Sequence, residues 1–223
     1  MGNAPKERRT AKERTVDRVY AEVREQILAG TWGPESRLTE EMLAERYNVS
    51  RTPVRAALHK LASDGFIEMI PRAGAVVRAR TLAEAIEIYD VRSLLESEAA
   101  GLAARRRSEE EVATLYKIAD EMEAIAEKSG QVPALSQLNQ ELHHLILRAS
   151  RNRTLEESAL RLIDIGFVIN TYTNFRRTDM ARTLADHRAL IQAIEAQDEI
   201  WASSVMRAHI ATTRNALKST MRP

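Results

Sequence analysis

Between Arg37 and Gly74 the sequence leaves little choice of local structure: two short helices, a tight turn between them, and a glycine-bearing hairpin. Thr39 precedes Glu40, Met42 and Leu43, so it can cap a helix whose first-turn acids meet the positive end of the dipole. That helix is predicted to end near Tyr47-Asn48, since Asn tolerates the left-handed conformation a helix terminus needs. Ser50 or Thr52 then caps a second helix, with Pro53 in its first turn, where a missing N–H costs nothing. Val54, Ala57, Leu58 and Leu61 recur at helical spacing as its buried stripe. Arg51 and Arg55, four residues apart, emerge together on one side of its start. Asp64-Gly65 stops the helix. Phe66 to Ile70 and Ala75 to Arg78 read as two strands joined by Pro71-Arg72-Ala73-Gly74, a wing. In a helix-turn-helix the N-terminal end of the second helix enters the major groove of DNA, so these cations stand where DNA would be met.

This segment resembles the winged helix-turn-helix of the GntR family of bacterial transcription regulators. The likeness rests on Arg37-x-x-Glu40, Leu43-Ala44, the run Val49-Ser50-Arg51-Thr52-Pro53-Val54-Arg55, Leu58-x-x-Leu61 and Gly74. Ala56 departs from it, standing where the family usually has an acid. The resemblance implies that Arg37, Ser50, Arg51, Thr52 and Arg55 contact DNA, and that Gly74 lets the wing backbone approach the minor groove. The competing reading of the same cations is a solvated basic helix face.

The net charge of +1 over 223 residues is small for a protein that meets phosphates. It is unevenly divided, however. Residues 1–80 hold 15 Lys/Arg against 11 Asp/Glu, and the remainder 18 against 21. The cationic excess therefore accompanies the helix pair, as salt-dependent phosphate contact requires. With no cysteine, a disulfide framework and a thiolate metal site are excluded. No apolar run approaches a membrane span, and a cytoplasmic location is expected. Residues 1–14, with Lys6, Arg8, Arg9, Lys12 and Arg14, read as a disordered basic arm. Residues 15–80 read as the DNA-binding domain and 81–223 as an all-helical effector-binding domain, sizes ordinary for one small and one medium domain.

Thr15–Ala29 is a helical pattern ended by Gly30 that would pack behind the helix pair. Beyond Arg78 strand signals vanish. Amphipathic patterns predict helices at Leu82–Arg105, Glu109–Lys128, Ala134–Ala149, Thr154–Thr173, Thr178–Ala196 and Glu199–Ser219. Six such helices joined by short breaks make an antiparallel bundle. The expected fold is mainly α: an N-terminal winged helix-turn-helix with a small β-hairpin wing, then a C-terminal six-helix antiparallel bundle.

Histidines carry the chemistry of the bundle. Asn139 and His143 are four apart and share a helix face. His187 lies eleven residues before Asp198 and His209 eleven after it. If the chain turns back at Asp198, each sits about 16 Å from the turn, at the same height. Should the Asn139–His143 face look into the same cavity, three imidazoles and an amide oxygen converge. Such a donor set suits Zn²⁺, Ni²⁺ or another divalent transition ion rather than Ca²⁺. Otherwise the three histidines are structural or exposed. His144 points about 100° away from His143 and His59 lies in the second short helix, so neither is a ligand candidate.

Residues 82–219 resemble the helical effector domain of the FadR-type branch, the FCD domain. The likeness rests on Asn139-x-x-x-His143, Asp186-His187-Arg188-Ala189-Leu190, Met206-Arg207-Ala208-His209, and Tyr89-Asp90-Val91-Arg92 with Leu95-Glu96. It implies a divalent metal, most often Zn²⁺, held by Asn139, His143, His187 and His209. Asn139 departs from the commoner Asp, and a neutral amide is the weaker ligand. The resemblance also implies a small organic-acid effector, a homodimer on a palindromic operator, and repression of a catabolic operon. Arg92 either clamps an acid group of the effector or pairs with Glu96 on the helix surface. The dimer contact is sought on the apolar stripe from Tyr89 to Leu102. Two further readings stand beside this one: a regulator whose effector binds without metal, and a metal-dependent hydrolase in which the ion activates water. Against the hydrolase, no general base stands out beside the ligands, and a DNA reader has no role in one.

Overall fold

The computed structural model describes residues 11–126, 132–168 and 177–220. The chain divides into two compact units, Met1–Ala79 and Arg80–Pro223, each taken here by itself.

In the first unit, α1 spans Ala11–Leu28 and opens four residues ahead of the predicted Thr15. Residues 1–10 of the expected basic arm lie outside the described residues; 11–14 are helical. Val19, Val23 and Ile27 of α1 are buried in the core of this unit, and α1 packs chiefly against the helix of residues 51–63. Next come β1 (Arg37–Leu38), α2 (Glu40–Tyr47), α3 (Arg51–Ser63), β2 (Ile67–Ile70) and β3 (Gly74–Val77). The Thr39 hydroxyl accepts from the Met42 N–H at 3.2 Å, and Asn48 closes α2 at φ 50°, ψ 56°. Ser50 precedes α3 in extended conformation, and its hydroxyl makes no capping bond. Val54, Ala57, Leu58 and Leu61 are fully buried. Each such leucine or valine withdrawn from water contributes about 1.5–3 kcal/mol.

The hairpin is wider than predicted. β1 adds to it, giving an antiparallel sheet in the order β1-β3-β2, with Arg37 opposite Val76 and Leu38 opposite Ala75. A two-residue strand is too short to show periodicity; its only trace is the exposed-buried alternation of Arg37 and Leu38.

Among the described residues the second unit forms the expected six helices: α4 (Leu82–Arg106), α5 (Glu109–Ala126), α6 (Val132–Ala149), α7 (Arg153–Val168), α8 (Arg177–Glu195) and α9 (Glu199–Thr220). The predicted ends of α5 at Lys128 and of α7 at Thr173 lie outside the described residues. Thr81 and Glu84 form a reciprocal capping box that starts α4, and Ser108 with Glu111 starts α5 in the same way. Leu115, Met122, Leu142, Ile146, Leu190 and Ile194 fill the core. Ala85, Tyr89, Arg92, Glu96, Ala99 and Ala103 recur at alternating spacings of four and three along α4, and all are buried. Two charged residues thus sit in an otherwise apolar seam. Tyr89 is 1% exposed, so it belongs to the protein's own core and not to a shared stripe. Among the described residues, the large apolar side chains left outside on this unit are Val91 and Leu94 of α4 and Ile200 and Trp201 of α9.

Candidate functional site

The face expected from the sequence to meet DNA is built at the start of α3. Arg37, Ser50, Arg51, Thr52 and Arg55 are all exposed. Two of the cations are already engaged. Arg55 donates from Nε and Nη2 to the two carboxylate oxygens of Glu40, at 2.6 and 2.8 Å, and Arg51 donates from Nη2 to Glu41 at 2.6 Å. The Glu40 carboxyl lies below its usual value, chiefly through the Arg55 hydrogen bond. Gly74 has a use internal to the fold. Its φ is +93°, and a Cβ there would lie 2.5 Å from the backbone oxygen of Leu38, so β1 itself demands glycine. The exposed tip of the wing is Pro71-Arg72-Ala73.

The second cluster lies inside the bundle. His143 from α6, His187 from α8 and His209 from α9 are 1%, 1% and 3% exposed. One ring nitrogen from each lies within 4.8 Å of the others, and the ring centroids are 4.7–5.8 Å apart. Among the described residues, five buried atoms at this cluster lack a hydrogen-bond partner. His143 Nε2, both nitrogens of His187, His209 Nδ1 and the Oδ1 of Asn139, one turn before His143, are buried with no hydrogen-bond partner. Each such orphan costs about 1–3 kcal/mol. Burial, reinforced by the two neighbouring imidazoles, holds His187 well below the ordinary imidazole value. His143 is also lowered by burial, against the pull of Glu96. Buried imidazoles that each bring a nitrogen toward one point are what a divalent cation requires of its ligands. Nitrogens bound tetrahedrally at 2.0–2.1 Å from one ion stand about 3.3–3.4 Å apart. The rings would draw together by about 1 Å on binding, a side-chain adjustment, and the donor set fits a metal.

Glu96 was read from the sequence only as a surface partner for Arg92. It is 1% exposed; one carboxylate oxygen meets His143 Nδ1 at 2.5 Å and the other accepts from Arg92 Nε at 2.8 Å. Burial pushes this carboxyl up, but Arg92 and His143 outweigh it and hold it at about 2. A carboxylate on Nδ1 leaves Nε2 as the coordinating nitrogen and fixes the ring. A carboxylate does therefore stand beside the ligands, contrary to the sequence reading, but both its oxygens are committed. Arg92 is buried as well. Its guanidinium lies 4.6 Å from the Tyr89 ring centroid and against Gly166, where a Cβ would meet Nη1 at 2.3 Å. The Arg92–Glu96 pair exists, then, but in the core and attached to the histidine cluster. His144 faces elsewhere, 3.2 Å from Asp164, and His59 is exposed. Asp186 Oδ2 is 3.7 Å from His209 Nδ1, a second carboxylate beside a candidate ligand.

Residues 15–77 match the bacterial regulatory proteins of the gntR family, and residues 87–212 match the FCD domain. The chain is 30% identical over 193 residues to an uncharacterised helix-turn-helix-type transcriptional regulator, YdhC, of Bacillus subtilis, covering 85% of each chain. It is 32% identical to the gluconate operon transcriptional repressor of the same organism, over 84% of this chain and 79% of that one. Among solved structures, E. coli McbR/YncC superposes with a TM-score of 0.83 at 21% identity, over 93% of this chain and 99% of that one, a likeness of fold.

Proposed function

Because the chain belongs to the GntR family of bacterial transcription regulators, and carries an FCD domain after its DNA-binding unit, we propose that it represses a catabolic operon in response to a small carboxylic acid. DNA binding and an effector domain come with the family. The family and the relatives are regulators rather than enzymes. The finer parts are our reading. Arg37, Ser50, Arg51, Thr52 and Arg55 contact the operator, with the wing backbone near Gly74 alongside. Asn139, His143, His187 and His209 hold a divalent transition ion, Zn²⁺ or Ni²⁺.

The observation that carries the metal reading is the set of buried, unpartnered nitrogens converging from α6, α8 and α9. A cation held there would supply a positive centre, left uncancelled by its neutral ligands, to which a carboxylate is drawn. Glu96 holds His143 with Nε2 inward, and Arg92 anchors Glu96. Arg92 thereby places a guanidinium one carboxylate away from the histidine cluster. One reader covers only half of a two-fold operator, so the working species is a homodimer. Exposed Val91, Leu94 and Ile200 support a contact through α4 and α9. Among the described residues no helix is long and apolar enough to cross a membrane, and operator binding places the protein in the cytoplasm.

The test is metal content by elemental mass spectrometry on protein purified without chelator, for the native chain and His187→Ala. About one divalent ion per chain, lost in the variant, is the expected result. No ion in the native chain, even after incubation with Zn²⁺ or Ni²⁺, would overturn the metal reading and leave a regulator with a metal-independent effector.

A further inference from the structure

Glu40 does more than neutralise a neighbour. A guanidinium carries five N–H donors in a planar fork. The side-on pair with Glu40 consumes the Nε–H and one Nη2–H, which leaves the end-on edge, Nη1 with the second Nη2–H, turned away from the carboxylate. That edge is the one that reads a guanine through O6 and N7 in the major groove. We propose that Glu40 is a specificity-determining positioning residue: it holds Arg55 side-on so that the guanidinium meets one guanine of each half-site end-on. The inference rests on the DNA-reading role proposed above.

Three observations carry it. Glu40 is the covered partner, its side chain 19% exposed against 63% for Arg55, so the acid is the fixed post and the cation the projecting arm. It stands in the first turn of α2, directly after the Thr39 cap, on a helix that packs against α3. The neighbouring pair is built differently. Arg51 makes one bond from Nη2 to Glu41, with side chains 62% and 76% exposed. Such a contact yields readily to a phosphate, whereas the two-point fork on Arg55 survives alongside a bound base. An exposed ion pair contributes little to stability, and a carboxylate on a DNA-facing surface repels phosphates. The pair is therefore unfavourable for indiscriminate binding, and its use lies in aiming the arginine.

The experiment uses the full-length chain and duplexes that the native protein enriches from a randomised pool, compared with scrambled duplexes of the same composition. Glu40→Gln keeps the shape and one acceptor but loses the two-point carboxylate. The ratio of specific to scrambled affinity is expected to fall about tenfold or more, while scrambled binding is unchanged or tighter. The loss should be confined to one G·C pair in each half-site. Arg55→Lys, which keeps the charge and loses the fork, should produce the same loss, and the double variant no further one. If Glu40 is only a counter-charge, Glu40→Gln tightens both duplexes equally and the ratio stands, which overturns the proposal. Should Glu40→Gln fail to fold, Arg55→Lys decides: a ratio equal to native overturns it. A native chain that enriches no sequence at all overturns the DNA-reading role, and this inference with it.

Discussion

Removing the carboxylate of Glu96 separates two quantities that share one side chain. In Glu96→Ala the Arg92 guanidinium, 5% exposed, loses the anion that accompanies it into the core, and His143 loses the acceptor on Nδ1. Breaking a buried ion pair from one side costs about 3–5 kcal/mol. For a unit of this size each kcal/mol moves the midpoint by about 2–4 °C, so the melting temperature in chelator should fall by roughly 10 °C. The folded carboxyl sits at about 2 against an ordinary 4.5. Its contribution is therefore whole above pH 4.5 and is lost as pH falls toward 2, so a melt at neutral pH sees all of it. Metal affinity, read by competitive titration, should fall about 10–100-fold because the ring is no longer oriented. The paired variant Arg92→Met with Glu96→Leu separates the terms. Stability should return to within about 1 kcal/mol of native or better, while metal affinity stays low. A Glu96→Ala chain melting within 2 °C of native, or a paired variant binding metal as tightly as native, would refute the reasoning.

Three more outcomes follow from the same geometry. His187→Leu should abolish metal binding yet raise the melting temperature in chelator, since it removes two unpartnered buried nitrogens worth about 1–3 kcal/mol each; a chelator-treated variant less stable than native counts against the orphan reading. Asn139→Asp should tighten metal binding, measured by the same titration, at some cost in stability without metal, because it buries an anion beside the ligands. Gly74→Ala should destabilise the first unit by about 1–3 kcal/mol, as the side chain needs a strained φ and collides with Leu38; faster hydrogen exchange in β1 and β3 is the readout.

Where helices begin and end was written locally. Thr39, Asn48, Thr81, Ser108 and Asp198 are short-range signals, and each stands at its helix end. The histidine convergence was legible too, because a turn near Asp198 places His187 and His209 by arithmetic; their rings are 4.7 Å apart. Glu96 was missed for a specific reason. An Arg and a Glu four apart look like a surface pair, and only the seam around them says otherwise: Ala85, Tyr89, Ala99 and Ala103 run through Arg92 and Glu96 at the spacing of a buried stripe. Reading that stripe before the charges would have found it. Gly74 shows the reverse limit. Its match to a wing glycine says nothing of β1, whose pairing is set by residues more than thirty positions away.

The α4 seam has one more consequence, for the alignment of helices. Ala99, Ala100, Ala103 and Ala104 line it with small side chains, and at Gly101 the Ser203 hydroxyl of α9 comes within 2.6 Å of where a Cβ would stand. Small residues pack closely but distinguish poorly between one position and the next, so two helices in contact through them could slide. A slip of one turn, about 5.4 Å, would carry Glu96 away from His143 and Arg92 away from Gly166, while the two charges, both on α4, stayed paired with each other. The contact from Glu96 to His143 thus works as a locating pin: smooth surfaces admit many alignments of α4, and that contact admits one.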